Sequence, residues 1–256
     1  MRLLADCGNS RVKLGVSDGK RLVAQGRVVN ETQAFDAFLV PWRDEVEDLI
    51  LLPGARVSTL AVLAWWHAHF PGRRWSVVGG PEKTDLPLPE LGQYPGMGPD
   101  RIIAGLAAGL AERHSLIVVD AGTATTLSAW QVKPAETDPC AAIRFVGGLI
   151  LPSARACLAG LAAQAPALPL VEVLGPEVAA RQHDTAGAIG AAMGIGYGPM
   201  VAACLLKLQR ETGFHAEVAT GGNAELLVAA HVVHPRALRP ALVLEGLDGW
   251  SRRVIR

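Results

Sequence analysis

The sequence has few cysteines, few aromatic residues and no excess of charge of either sign. Its four cysteines are scattered over 256 residues without a Cys-x-x-Cys pair, which argues against a disulfide framework or a zinc site and favours a reducing cytoplasm. The chain has 24 Lys and Arg residues and 24 Asp and Glu residues, so its formal net charge is zero. This balance gives no electrostatic reason to expect nucleic acid or a membrane as a partner. Only three apolar residues separate Arg2 from Asp6, too few for a signal peptide.

One segment without charge, residues 186–206, is long enough to span a bilayer. It is rich in Gly and Ala, and Gly198-Pro199 is expected to interrupt it, so the sequence favours a buried helix at a subunit contact over a membrane span. Elsewhere, half of the residues are hydrophobic and 19% are charged, which is typical of a globular protein of one large or two modest domains.

The order of apolar runs and turn residues predicts an α/β fold. Three short strands form an antiparallel meander within the first 30 residues, and helices and strands alternate after them. We expect Ser58 to cap a helix, the pair Gly147-Gly148 to break a strand, and a last helical stretch to run from about Pro235 to Arg253.

An internal repeat relates the two halves of the chain. "LLADCGNSRVKL" and "IVVDAGTATTLS" each contain an apolar run, an Asp, a Gly, small polar residues and a return strand, and Asp6 and Asp120 take the same place in them. The repeat predicts two similar domains, residues 1–114 and 115–236. The C-terminal helix, about 237–256, is expected to pack back on the first domain.

The repeated turn suits a phosphate site. A glycine lets the backbone approach a ligand, the N–H groups beside it can point at phosphate oxygens, and the Asp that ends the strand can hold a cation. A single Asp-x-Gly is most often an ordinary turn. Two matched copies, with further glycine turns at Gly147-Gly148 and Thr220-Gly221-Gly222, predict a nucleotide site without a Walker loop.

The stretch "GMGPDR", Gly96 to Arg101, precedes a predicted helix and allows two interpretations. In one, Asp100 only caps the helix. In the other, Asp100 accepts the proton of a substrate hydroxyl and Arg101 binds a carboxylate. Kinases that phosphorylate a hydroxyl commonly use an Asp in this way.

Taken together, these motifs resemble those of type III pantothenate kinases over nearly the whole chain. The matching segments, in order, are "DCGNSRVK", "GPDR", "DAGTATTL", "GGLILPS" and "TGGNA". The resemblance implies two actin-like, ribonuclease-H-like domains with mixed sheets flanked by helices and a cleft between them, as in the acetate and sugar kinase, Hsp70 and actin superfamily. It also implies a cytoplasmic homodimer that phosphorylates pantothenate in the first step of coenzyme A biosynthesis.

Carried over residue by residue, the resemblance gives most of these motifs a role, and it implies that "TGGNA" forms the adenosine turn. The residues implied to bind ATP are Asp6, Cys7, Gly8, Asn9, Ser10, Arg11, Val12, Lys13 and Thr123. Those implied to bind pantothenate are Tyr94, Gly98, Pro99, Asp100 as general base, Arg101, and Thr185 from the partner subunit. The implied cations are K⁺ or NH₄⁺ at Asp120 and Mg²⁺ at Asp6, directly or through water. Pro99 departs from the family pattern, and so does the end of "LPS".

Two other functions remain open on the sequence alone. One is another small-molecule kinase or a polyphosphate phosphatase of the same fold, and the other is a nucleotide-binding regulator without catalysis, like the accessory factors among the family's relatives. The pairs His67/His69 and His231/His234 have metal-ligand spacing, but each is expected to be an ordinary surface or core pair. The Cys7 side chain is expected to face the core, away from Asp6.

Overall fold

The computed structural model describes residues 1–9, 11–134 and 138–255, and it divides into two compact units. The first comprises Met1–Glu112, Pro134–Arg144 and Ala241–Arg256, and the second Arg113–Lys133 and Phe145–Pro240. The strands are β1 Arg2–Cys7, β2 Val12–Ser17, β3 Leu22–Val28, β4 Asp48–Leu52, β5 Arg74–Val77, β6 Leu116–Ala121, β7 Ala124–Val132, β8 Ile143–Pro152 and β9 Ala216–Thr220. The helices are α1 Thr32–Leu39, α2 Arg56–His69, α3 Pro99–Glu112, α4 Ala154–Gln164, α5 Thr185–Thr212, α6 Ala224–Ala229 and α7 Leu242–Val254, with 3-10 turns at Val40–Trp42 and Pro235–Ala237.

The first unit contains a five-stranded mixed sheet in the order β3-β2-β1-β4-β5. The predicted antiparallel meander of β1, β2 and β3 is confirmed, and β4 and β5 continue the sheet in parallel. Alternate side chains of β1, including Cys7, enter a core shared with Trp65 and Trp66 of α2. Helix α7 contacts α3 and the β1–β2 hairpin of this unit.

The second unit repeats this arrangement with a four-stranded sheet in the order β8-β7-β6-β9. In both sheets the strand that carries the repeated Asp pairs antiparallel with the next strand and parallel with a later one. Asp6 and Asp120 each occupy the next-to-last position of their strand. The predicted α/β class, with two mixed sheets flanked by helices, is confirmed.

Helix α5 contains the whole uncharged segment of the sequence and is continuous through it. It begins after Asp184, whose Oδ1 accepts a hydrogen bond from the Gly187 N–H at 2.8 Å, and ends at Gly213 in the left-handed conformation. The interruption predicted at Gly198-Pro199 is wrong, because Pro199 lies on the exposed side, where water can bond the carbonyl that it leaves unpaired. Among the described residues α5 alone has the length and apolar composition to cross a membrane, which is weak evidence because core helices also qualify.

Three local predictions are corrected by the structure. Helix α2 begins at Arg56, so Ser58 lies inside its first turn and does not cap it. Strand β8 continues through Gly147-Gly148, because the glycines lie in an edge strand that pairs with β7 alone and tolerates them. The last helical stretch is two elements, since Pro240 lacks an N–H and the Arg239 N–H bonds the Ala219 carbonyl at 2.7 Å.

Candidate active site

The turn between β1 and β2 places a carboxylate and an ammonium group side by side. The strand register pairs Asp6 with Lys13, and Lys13 Nζ lies 2.9 Å from Asp6 Oδ2. Asp6 is almost completely buried, whereas Asn9 and Arg11 are exposed. Ser10, which the sequence implies as an ATP ligand, lies outside the described residues.

Close backbone packing fixes this turn. Ser58 Oγ, from the first turn of α2, donates a hydrogen bond to the Gly8 carbonyl at 2.9 Å. A Cβ at Gly8 would lie 2.8 Å from the Arg11 carbonyl oxygen, so the turn needs glycine there. The Cys7 side chain lies in the core, as predicted, and burial together with the Asp6 charge raises the pKa of Cys7 to about 12.

The start of α3 holds the Gly-Pro-Asp-Arg motif. Pro99 is the first residue of the helix, a position that needs no N–H donor. Asp100 follows within the first turn, and its Oδ1 accepts a hydrogen bond from the Arg101 N–H at 2.9 Å. The Gly98 carbonyl accepts the same N–H at 3.1 Å, so the first residue of the motif is bonded to its last.

Arg101 is a buried cation whose direction is fixed by Tyr94. Arg101 is only 8% exposed, and its Nη1 donates a hydrogen bond to Tyr94 Oη at 2.7 Å. The guanidinium carbon also lies 5.9 Å from the centre of the Tyr94 ring. A planar guanidinium held in this way can bind a carboxylate through two parallel hydrogen bonds.

The environment of Asp100 raises the pKa of its carboxyl group. Burial is the largest cause, and the negative charge of Asp6 acts in the same direction. The Arg101 N–H and the positive charges of Lys13 and Arg101 oppose the shift. The structure therefore brings Asp6, Lys13, Asp100 and Arg101 into one electrostatic cluster in the first unit, and a carboxylate with a raised pKa is a better proton acceptor.

The second unit holds three of the predicted site residues, Asp120, Thr123 and Thr185. Asp120 lies at the end of β6, and Thr123 is exposed in the turn to β7. Thr125, two residues after Thr123, is buried, and its Oγ1 is hydrogen-bonded to the hydroxyl of Tyr197 in α5. Thr185 is the first residue of α5 and is exposed.

Three polar residues near these turns were not predicted as individual site residues. Ser58 was expected to cap a helix, and it bonds the first turn. Asn223 bonds the second turn, where its Nδ2 donates to the Gly122 carbonyl at 2.9 Å. Thr220 belongs to the segment "TGGNA", which the resemblance implies as the adenosine turn, and its pairing with Asp120 comes from the strand register, which no sequence pattern signals.

Among residues 1–9, 11–134 and 138–255, no group of three or more His, Cys, Asp or Glu side chains is arranged to hold a metal ion. Asp6 nevertheless has the chemistry of a cation ligand, since its buried carboxylate already faces an ammonium group.

Two repeated mixed sheets flanked by helices, each with an Asp-x-Gly turn that follows an inner strand, define an α/β protein with a duplicated actin-like fold. The sequence model of the type III pantothenate kinase family matches residues 2–206, and the chain belongs to that family.

Individual relatives agree with this result. A type III pantothenate kinase of Exiguobacterium sibiricum is 29% identical over 257 residues, which cover 96% of this chain and 97% of the relative. One from Anaeromyxobacter sp. (strain K) is 31% identical over 240 residues, 89% of each chain. Among solved structures, a Baf family transcriptional activator from Campylobacter jejuni has a TM-score of 0.52 at 18% identity over 98% of both chains, which shows the fold alone.

Proposed function

We infer that this chain is an ATP-dependent kinase that phosphorylates the primary hydroxyl of pantothenate, giving 4'-phosphopantothenate and ADP at the start of coenzyme A biosynthesis. Membership of the type III pantothenate kinase family supports the reaction. The observation that carries the assignment to this chain is the start of α3, where Asp100 has a raised pKa beside a buried, oriented Arg101.

In the first unit, we propose that Asp100 accepts or orients the proton of the substrate hydroxyl. The buried guanidinium of Arg101 binds the pantothenate carboxylate, with Tyr94 and the backbone of Gly98 and Pro99 completing that contact. The hairpin from Asp6 to Lys13 binds ATP phosphates, and Lys13 neutralises charge on the phosphoryl group as it is transferred in line.

In the second unit, Thr123 is proposed to bind an ATP phosphate and Asp120 to hold the monovalent cation, K⁺ or NH₄⁺. Asp6 is proposed to hold Mg²⁺, directly or through water. Bound Mg²⁺ would neutralise phosphate charge, and the Asp6 carboxylate would exchange its ion pair with Lys13 for one with the metal.

We also propose a homodimer formed through the second unit. Strand β8 is an edge strand, and Val146, Leu149 and Ile150 on it are exposed. Exposed apolar edges are normally covered in native proteins, because they otherwise pair with other chains. Dimerisation would cover this edge and allow Thr185, at the exposed start of α5, to contact pantothenate bound to the partner.

A cytoplasmic location is proposed on the chemistry of the chain and its substrate. The four cysteines are all free, which suits a reducing compartment, and ATP is a cytoplasmic nucleotide. The non-catalytic regulator is not favoured, because the curated relatives are kinases and both Asp100 and Asp120 are present.

The decisive experiment measures ADP release by the purified protein with Mg²⁺-ATP, with and without pantothenate, in K⁺ or Na⁺. Asp100→Asn should reduce kcat about 100- to 10,000-fold, the usual contribution of a general base. The exposed residue Asp44 supplies a matched control, and Asp44→Asn should retain wild-type turnover. A folded wild-type protein that binds ATP without pantothenate-dependent turnover would contradict the inference.

The loss in Asp100→Asn should not come from unfolding. Because the folded-state pKa of Asp100 lies above its unfolded value, its favourable contribution to stability is present at low pH and is lost as the pH rises through the folded pKa. At neutral pH the buried charge is destabilising, so Asp100→Asn should be at least as stable as the wild type in thermal unfolding.

A further inference from the structure

Thr220, the last residue of β9, contains a buried hydroxyl with no hydrogen-bond partner. The residue is 0% exposed, and its Oγ1 is one of four such polar side-chain atoms among the described residues. The other three are Asn30 Oδ1 and the indole nitrogens of Trp66 and Trp130. Buried polar groups in native proteins are nearly always satisfied, and an exception calls for an explanation such as a missing ion.

The strand register places this hydroxyl beside Asp120. Strands β6 and β9 are parallel, and Asp120 and Thr220 are direct partners. Partner residues in a parallel pair point to the same face, and neighbouring strands lie about 4.8 Å apart. The hydroxyl and the carboxylate are therefore neighbours at one edge of the sheet.

The carboxylate lies over the backbone next to Thr220. A Cβ built on Gly221 would lie 2.5 Å from Asp120 Oδ1, and Gly221 has φ of +97°. Glycine at this position thus provides the space in which the Asp120 oxygen approaches the end of β9. Both oxygen-bearing groups meet at the same strand ends.

The two turns that contain these residues are bonded to each other. The Asn223 N–H donates to the Ala121 carbonyl at 2.8 Å, and Asn223 Nδ2 donates to the Gly122 carbonyl at 2.9 Å. The positions of Asp120 and Thr220 are therefore fixed before a ligand arrives, which lowers the entropic cost of binding.

We propose that Thr220 Oγ1 is a ligand of the monovalent cation held by Asp120, an inference that rests on the proposed function. One carboxylate with neutral oxygen ligands suits a weakly hydrated monovalent cation, because neutral oxygens can replace its hydration shell. Cation binding would also satisfy the hydroxyl that the protein leaves without a partner.

The test uses two substitutions in the full-length protein. Thr220→Val replaces the hydroxyl by a methyl group of similar shape, and Thr220→Ser keeps an oxygen at the same place. The midpoint of thermal unfolding is measured in KCl and NaCl titrations at constant ionic strength with a non-hydrolysable ATP analogue present, and K⁺ activation of turnover is measured in parallel.

For the wild type, K⁺ should raise the unfolding midpoint above that in Na⁺, since a ligand that binds only the folded state stabilises it. In Thr220→Val the K⁺ concentration for half of this effect should rise about tenfold, as for loss of a polar contact to a charged group. The same variant should be at least as stable as the wild type in Na⁺, because an unsatisfied buried hydroxyl has been removed. Thr220→Ser should keep the K⁺ response within about threefold.

Two outcomes would overturn the proposal. One is an unchanged K⁺ response in Thr220→Val, and the other is a loss of nucleotide affinity that is equal in K⁺ and Na⁺, which would make the hydroxyl a nucleotide contact. The turnover assay distinguishes this failure from failure of the proposed function. If K⁺ stimulates pantothenate-dependent turnover equally in the wild type and in Thr220→Val, the protein is a pantothenate kinase and only the assignment of Thr220 is wrong.

Discussion

The ammonium group of Lys13 acts on two carboxylates in the first unit. It forms an ion pair with Asp6, and its charge also lowers the pKa of Asp100. A general base works only when deprotonated, so kcat/KM should rise with pH through the pKa of Asp100. Lys13 therefore contributes to the amount of active base at a given pH as well as to phosphate binding.

Lys13→Met should move the acidic limb of the kcat/KM profile to higher pH, because the charge that lowers the pKa of Asp100 has been removed. Turnover at neutral pH should fall about a hundredfold, as when one group that stabilises transition-state charge is lost. The pH profile of ADP release checks both effects, with Lys20→Met at an exposed position as the control. An acidic limb that moves to lower pH would contradict this account.

The positions of residues with distinctive motifs could be predicted from the sequence, their roles stay predictions, and residues without such motifs were not predicted. Asp6, Asp100 and Asp120 follow apolar runs or precede a helix in recognisable patterns, and the structure places each at the expected end of its element. Ser58 and Thr220 have no such pattern. Ser58 is distinguished by a tertiary hydrogen bond to the Gly8 carbonyl, and Thr220 by a buried hydroxyl without a hydrogen bond, and neither property can be read from the local sequence.

The packing of α7 on α3 supports the helix that begins with Asp100. Gly246 of α7 lies against α3 so closely that a Cβ there would be 2.5 Å from the Ile103 carbonyl oxygen and 3.0 Å from Ala107 Cβ. Gly249, on the same helix, has no atom within 4 Å of its hypothetical Cβ. The two glycines form a matched pair for testing this contact.

Gly246→Ala should lower the free energy of unfolding by about 1–3 kcal/mol, because the added methyl group overpacks the contact between the helices. It should also lower kcat, since a displaced α3 carries Asp100 with it. Gly249→Ala should instead raise the free energy of unfolding by about 0.5–1 kcal/mol, as expected for Ala replacing Gly in a helix. Urea unfolding of both variants is the measurement, and equal changes in the two would be inconsistent with close packing at Gly246.

Helices and strands with a strong periodic pattern could be predicted from the sequence, but the residues at which they begin and end were predicted less accurately. The meander β1–β3, the hairpin β6–β7 and helix α5 are where the sequence placed them. Helix α5 continues through Pro199 because the proline ring lies on the exposed side, a fact that depends on packing and not on local sequence. The split of the last helical stretch depends on a backbone bond between Arg239 and Ala219, which is likewise a tertiary contact.

The proposed homodimer gives the exposed edge of the second unit a partner. Ile150 of β8 is 63% exposed, and Leu60 of α2, in the first unit, is 55% exposed. Ile150→Lys should convert the dimer to a monomer, because a charge would be buried in an apolar interface. Leu60→Lys should leave the dimer intact.

Light scattering coupled to size-exclusion chromatography measures both masses. A wild-type monomer, or an Ile150→Lys dimer as stable as the wild type on dilution, would remove β8 from the interface. Because Thr185 is proposed to reach pantothenate in the partner subunit, the monomeric variant should also show a raised KM for pantothenate with a smaller change in the KM for ATP.

The first unit is completed by α7, a segment that follows its first hairpin by more than 200 residues. Ser17 Oγ donates a hydrogen bond to Asp248 Oδ1 at 2.6 Å across 231 residues, and Asp248 also pairs with Arg252. During translation, the ribosome must therefore release α7 before the β1–β2 hairpin can gain this contact. Until then the nascent first unit exposes the surface that α7 covers, so binding of a chaperone there should persist until α7 has been synthesised.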